Sequence, residues 1–269
     1  MYKIYIEVPS LTNLIIKEKM NKKIILSSFA SLLFLSQAAN AEIKLGDKGS
    51  LGTIAFNAGY NSVYVWRGID QNSGSGSPYI GADLTTPIGL YIGTWTGAST
   101  AGLGNVAGAP NQEIDIYGGF AKSFGPITFD VGVIEYRYPG SNKPATPNNF
   151  LEYYGKLKFA PDKAPYSIQL AYYKDDTEGQ NFSATQKGRG ENYQEISGSY
   201  NFPAFTVAAS YGEYKNETDT TTLTISKSMF DLNFSASYID ADRVSTSTSA
   251  ANTTNSNKEF FVVNVSKTF

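Results

Sequence analysis

The chain has no cysteine and no histidine among its 269 residues. Without cysteine there is no disulfide framework, although an oxidising compartment stays open to it. Without histidine it lacks the commonest general base and the usual partner of a nucleophilic serine, and zinc sites built on His or Cys are ruled out. An enzyme is therefore not expected; no catalytic, cofactor-binding or metal-binding residue is assigned, and no cofactor is expected. Long apolar runs are also missing. A transmembrane helix needs about 20 consecutive apolar residues, and the longest apolar run, Ile24 to Leu35, falls short of that. Basic charge is scarce as well. Setting aside the five bases and two acids of residues 1–41 leaves 17 bases against 22 acids, a net charge of −5. Nucleic acid is thus not an expected partner, because phosphate contacts need a basic surface.

What is present is patterned. From Met20 the chain reads Asn21-Lys22-Lys23, the apolar run from Ile24 to Leu35, then Ala39-Asn40-Ala41. A basic start, a short apolar core and a small-x-small site predict a secretory signal peptide cleaved after Ala41. Residues 1–19 match no targeting pattern, so Met20 is read as the true start, and residues 42–269 as one domain beginning at Glu42.

That domain alternates in polarity with a period of two. The first segment, Thr53 to Arg67, places Ile54, Phe56, Ala58, Tyr60, Tyr64 and Trp66 on one face and Asn57, Asn61 and Arg67 on the other. Ile114, Ile116 and Phe120 oppose Glu113, Asp115 and Tyr117. Leu151, Tyr153, Leu157 and Phe159 oppose Glu152, Lys156 and Lys158. The last strand carries Phe261, Val263, Val265 and Phe269 on one face and stops on that terminal aromatic. Side chains alternate across a strand, so each segment has one apolar and one polar face. Twelve such segments are counted, joined alternately by short connections rich in Pro and Gly and by longer ones rich in Gly, Ser, Thr, Asn and Asp. The expected fold is all-β: a transmembrane antiparallel up-and-down β-barrel of about 12 strands, with short periplasmic turns and longer extracellular loops. The 19 Tyr and 16 Phe suit aromatic girdles. Phe159, Tyr166, Phe205, Phe230 and Phe269 are assigned to an inner girdle, and Trp66, Tyr172, Tyr211 and Tyr238 to the outer ends. Lys267 interrupts the apolar row where it can snorkel to the headgroups. Glu135 and Arg137 share parity with Phe129, Val131 and Val133, which predicts a bulge or an early exit from the membrane. A soluble β-barrel or sandwich, with its apolar face inward, is the competing architecture.

In a membrane barrel the polar face lines the lumen. By parity Arg67, Asp83, Glu113, Asp115, Asp130, Glu152, Lys156, Lys158, Glu195 and Asp231 point inward, seven acids against three bases. Such a lining favours cations modestly. Two bland readings stand beside it: lumen acids in contact with water or arginine, and structural salt bridges that plug the bore. Asp175, Asp176 and Glu178, and separately Asp240 and Asp242, are read as loop acids able to meet the divalent cations that bridge lipopolysaccharide, without calcium-loop spacing. Ser73-Gly74-Ser75-Gly76 is a flexible loop, not a phosphate cradle.

Several segments between Tyr60 and Tyr154 carry a family likeness. They run Tyr64-Val65-Trp66-Arg67-Gly68-Ile69-Asp70-Gln71-Asn72, Gly81-Ala82-Asp83, Gly89-Leu90-Tyr91-Ile92-Gly93-Thr94-Trp95, Glu113-Ile114-Asp115-Ile116-Tyr117-Gly118-Gly119, Asp130-Val131-Gly132, Tyr136-Arg137-Tyr138-Pro139-Gly140 and Phe150-Leu151-Glu152-Tyr153. In this order they resemble the TorF-type putative porin family of bacterial outer membranes. Asp70, where Ser or Thr is expected, and an expanded Ala98–Asn111 loop depart from that pattern. The resemblance implies an outer-membrane protein that conducts solutes; it supplies no catalytic residue and no substrate. The expected function is a narrow porin for small hydrophilic solutes, with a weak cation preference. The alternative is a non-conducting outer-membrane barrel acting as an adhesin or structural protein. Expected partners are outer-membrane lipid and lipopolysaccharide, the barrel-assembly machinery through the strand ending in Phe269, and small solutes.

Overall fold

The computed structural model describes residues 42–99, 112–139, 149–176, 192–215, 218–243 and 258–269. The leader and the apolar run of residues 20–41 lie outside these residues, as does Glu178. Twelve antiparallel strands form one closed sheet: β1 Gly52–Asn61, β2 Ser77–Thr85, β3 Leu90–Ala98, β4 Gln112–Phe124, β5 Ile127–Arg137, β6 Phe150–Phe159, β7 Tyr166–Asp175, β8 Asn192–Asn201, β9 Thr206–Tyr214, β10 Thr218–Met229, β11 Leu232–Arg243 and β12 Lys258–Thr268. Each pairs with the next, and β12 returns to β1 from Asn264 opposite Asn61 to Thr268 opposite Asn57. At the seam Phe269 N–H donates to the Phe56 carbonyl at 2.7 Å, and Phe56 N–H donates to the Phe269 carbonyl at 3.0 Å. A short strand, Ile43–Leu45, pairs with Gly52–Ile54 on the edge of β1 that also faces β12. Among the described residues the helical content is a single 3-10 turn, Asp47–Gly49.

Burial is inverted relative to a soluble core. Phe56, Ile80, Ile92, Val131, Leu157, Leu170, Ile196, Leu223, Phe261 and Val263 are exposed on the outside, while Glu113, Asp115, Glu152 and Asn264 are buried inside. A barrel in water would put the apolar face inward. An apolar outer band is what a hydrocarbon surround requires, since a closed barrel satisfies every ladder hydrogen bond internally. The start of β1, the end of β12 and the short connections share one end of the barrel. There Phe159, Tyr166, Phe205, Phe230 and Phe269 are outward and exposed, and the Lys267 ammonium lies 5.2 Å from the Phe269 ring centre. Tyr172, Tyr211 and Tyr238 are exposed in strands that rise toward the other end.

Three local expectations change. The first strand stops at Asn61, not Arg67. A tilted strand needs only about 9–11 residues to cross, and the chain then turns into the barrel as described below; Trp66 therefore leaves the outer girdle. Of the two readings of Glu135 and Arg137, the bulge is absent, because the register of β5 with both neighbours is uninterrupted. Both side chains sit on the outer face near the strand's end and pair with each other at 2.9 Å. The acids assigned to loops lie elsewhere: Asp175 ends β7 and is buried, and Asp240 and Asp242 lie within β11. Asp176 accepts a hydrogen bond from Leu151 N–H at 3.1 Å.

The inner wall is built from tyrosines laid over glycines. Tyr79 stands opposite Gly59, Tyr117 opposite Gly93, Tyr91 opposite Gly119, and Tyr154 opposite Gly132. At each of these glycines a Cβ would occupy the space of the facing ring. The arrangement lets a large ring lie flat on the wall and covers the exposed backbone of a strand glycine. Gly132→Ala is accordingly expected to cost about 1–3 kcal/mol by overpacking against Tyr154. Gly155, where an added Cβ meets nothing, is the control. Urea unfolding midpoints of the two variants in detergent micelles check this: the first should fall and the second should hold.

Candidate functional site

Between β1 and β2 the chain does not stay at the rim. Val65–Trp66 and Ile69–Asp70 form a two-stranded hairpin whose tip, Arg67-Gly68, has positive φ at both residues, 48° and 77°. That is the geometry of a tight two-residue turn. The hairpin is anchored at its base, where Gln71 N–H donates to the Tyr64 carbonyl at 2.7 Å and Ser99 Oγ donates to the Gln71 carbonyl at 3.2 Å. Its tip crosses the bore. Thr218 Oγ1 on β10 donates to the Arg67 carbonyl at 2.7 Å, and a Cβ at Gly68 would meet Thr220 and Ala241. Only glycine combines that φ with that approach.

Arg67 is the centre of the site. Its guanidinium makes two parallel hydrogen bonds to Glu152 on β6, at 2.6 and 2.9 Å, with side chains only 4% and 1% exposed. Tyr136 Oη donates to the same carboxylate at 2.9 Å. Around the guanidinium stand the rings of Trp66 at 4.3 Å, Tyr193 at 4.3 Å, Tyr173 at 4.6 Å and Tyr214 at 5.5 Å. A delocalised, weakly hydrated cation is the group that such faces hold best, and the bidentate carboxylate fixes its plane. Trp66 also packs edge-on against Tyr136, Phe150 and Tyr214, which fills the bore around the tip.

The other lumen acids meet tyrosine phenols. Tyr64 donates to Glu113 at 2.8 Å, Tyr117 to Asp83 at 2.5 Å, Tyr91 to Asp130 at 2.6 Å and Tyr193 to Glu195 at 2.8 Å. Tyr91 and Tyr154 also bond to each other through their hydroxyls. Asn57 Nδ2 adds a donor to Asp83 at 3.3 Å. Lys156 pairs with Asp130 at 3.6 Å and lies 4.5 Å from the Tyr154 ring centre. Lys158 is half-buried two residues further along β6. Asp115 is fully buried next to Glu113, and neither of its carboxylate oxygens is hydrogen-bonded among the described residues. A phenol stabilises a carboxylate without cancelling its charge, whereas Arg67 and Lys156 do cancel it.

The structure thus joins Arg67 with Glu152, and Asp130 with Lys156, and sets Glu113 beside Asp115. Asp83 and Glu195 stand apart, each with its own tyrosine. Asp231 departs from the expected set. It forms a tight turn with Phe230, both at positive φ, and is exposed at the end of the barrel instead of lining it. Period-two counting carried through a turn assigns a face that the turn does not have. Part of the lining is of another character. Thr220, Thr222 and Thr224 on β10, Ser197 and Ser199 on β8, Ser210 on β9 and Asn264 on β12 are buried and small. On β8 and β9 these small groups share the inner face with Tyr193, Glu195 and Tyr214. The tyrosine lining and the inward hairpin were missed in the sequence, although Tyr at lumen parity opposite Gly is a readable signal for the first.

A family described as "Bacterial protein of unknown function (Gcw_chp)" matches residues 47–269. No curated protein matches the chain in sequence. Among solved structures, the KdgM porin is similar over 80% of this chain and 99% of its own, with a TM-score of 0.52 at 10% identity. The KdgM porin in complex with disordered oligogalacturonate gives 0.51 at 10% identity over 80% and 98% of the two chains. A NanC porin in a rhombohedral crystal form gives 0.49 at 12% identity over 80% and 98%. At such identities the first two show a shared fold, the closed porin barrel.

Proposed function

We propose that this chain, which belongs to the Gcw_chp family, is a porin-like channel of the bacterial outer membrane that passes small hydrophilic solutes by diffusion and prefers cations. The observation that carries this reading is the inverted barrel, apolar outside and lined within by charge and hydroxyls. The segments that resemble the TorF-type putative porins fall inside residues 47–269, and the fold shared with the KdgM porin supports the same reading. Export under the signal at residues 20–41, and delivery to the barrel-assembly machinery through the strand ending in Phe269, belong to the same reading.

Cation preference follows from the lining. Of the residues expected to line the bore, the described wall and hairpin keep six acids, Asp83, Glu113, Asp115, Asp130, Glu152 and Glu195, against three bases, Arg67, Lys156 and Lys158, and two of those bases are paired with Glu152 and Asp130. A bore of that sign repels anions. A KdgM porin has been solved with oligogalacturonate, a polyanion; the acidic lining here argues against that class of solute for this chain. The second reading, a non-conducting surface barrel, is favoured by one feature, the hairpin that crosses the bore. Planar-bilayer recording of the refolded chain from Glu42 decides between them. Discrete steps are expected, with a reversal potential in a salt gradient on the cation side that Asp115→Asn or Glu113→Gln moves toward zero. A correctly folded barrel without current, both intact and with residues 63–75 replaced by a short linker, would remove the channel reading.

A further inference from the structure

The pocket that holds Arg67 is a recognition site in its own right. Three of its four rings, Tyr173 on β7, Tyr193 on β8 and Tyr214 on β9, belong to the barrel wall, as does Glu152 on β6 with its Tyr136 donor. The hairpin supplies the occupant and Trp66, the fourth ring. Structural salt bridges need a carboxylate but not a surround of aromatic faces, and a plug needs bulk but not a bidentate fork. Together the two describe the chemistry that selects a planar organic cation: π faces for a weakly hydrated charge and a fixed carboxylate edge for paired N–H donors. We infer that the Tyr173–Tyr193–Tyr214–Glu152 pocket is a solute-binding site for guanidinium-bearing cations, occupied in this structure by the chain's own Arg67 as an internal stand-in. A guanidinium solute competing for the pocket would displace Arg67, and with it the hairpin, so that the solute opens its own path. That transport consequence rests on the channel reading; the binding does not.

The test vacates the pocket without breaking the turn. Asn-Gly is the preferred pair for a two-residue turn with both φ positive, so Arg67→Asn keeps the hairpin's geometry while removing the guanidinium. Arg67→Gly, compatible with the same φ, is made in parallel. Both are prepared in a Trp95→Phe background, so that Trp66 is the fluorescent reporter, and are titrated in micelles with methylguanidinium, methylammonium and urea, with calorimetry as a second readout. Saturable binding of methylguanidinium is expected, weaker binding of methylammonium, and none of urea. Adding Glu152→Gln should weaken methylguanidinium binding by roughly tenfold or more, the scale of a lost charge-assisted bidentate pair. Absence of saturable binding in both folded variants, or binding indifferent to Glu152, would overturn the inference. Conductance of the same variants is recorded separately. Binding without current, there and with residues 63–75 replaced by a short linker, would retire the channel and leave the site, and current without binding would do the reverse.

Discussion

Glu152→Ala is expected to cost the folded barrel about 3–5 kcal/mol if the hairpin stays seated, the scale on which removing one partner of a buried ion pair strands the other. Arg67 would then face Trp66, Tyr173, Tyr193 and Tyr214 with no carboxylate. Cation–π attraction, about 0.5–2 kcal/mol per contact, does not make up for a desolvated guanidinium that has lost both fork bonds. The cheaper response is for the hairpin to leave the bore, since the tip then keeps ring contacts and a hydrogen bond from Thr218 but no partner for its charge. Two measurements report this. Trypsin should cut after Arg67 in the variant and spare the wild type, where the Arg67–Gly68 bond is buried against β10 and β11. Single-channel steps should grow several-fold. Arg67→Asn with Glu152→Ala should be less destabilised than the sum of the single changes, because neither charge is then stranded. A variant that is neither cut nor changed in conductance would show that Glu152 does not hold the hairpin.

Much of the barrel was legible in the sequence because its physics is local. Period-two alternation follows from a strand crossing a hydrocarbon layer with one face to lipid, so it survives being read one segment at a time. The hairpin does not have that property. Tyr64, Val65 and Trp66 continue the alternation of β1, and an extended segment reads the same whether it climbs the wall or folds beneath it. Arg67-Gly68 is also a weak turn signal compared with Asn-Gly. The meaning of Arg67 depends on Glu152, 85 residues away, and on tyrosines of three further strands; such pairings are set by barrel closure, which no window of the sequence contains. Parity did put Arg67 and Glu152 on the inner side, but for Arg67 the route was different: it reaches the lumen on a hairpin, not on a strand. Asp231 shows the complementary failure, where a correct period was carried one residue too far into a turn.

Gly68→Val should unseat the same hairpin by a route that leaves every lumen carboxylate in place. A β-branched residue at φ 77° meets the left-handed penalty of about 1–2 kcal/mol, and its Cβ meets Thr220 Oγ1 and Ala241 Cβ, an overpacking of about 1–3 kcal/mol. At roughly tenfold per 1.4 kcal/mol, a combined cost of about 2–5 kcal/mol lowers the seated fraction by a factor on the order of a hundred. Conductance and tryptic cleavage after Arg67 should rise as they do for Glu152→Ala. Selectivity separates the two. Gly68→Val withdraws a positive charge from the bore and leaves Glu152 behind, so the cation preference should increase. Glu152→Ala removes the carboxylate and releases the arginine together, so the preference should stay near the wild-type value. Reversal potentials in a salt gradient read the difference directly. If both variants shifted selectivity equally, the Arg67–Glu152 pair would not be what balances charge at this constriction.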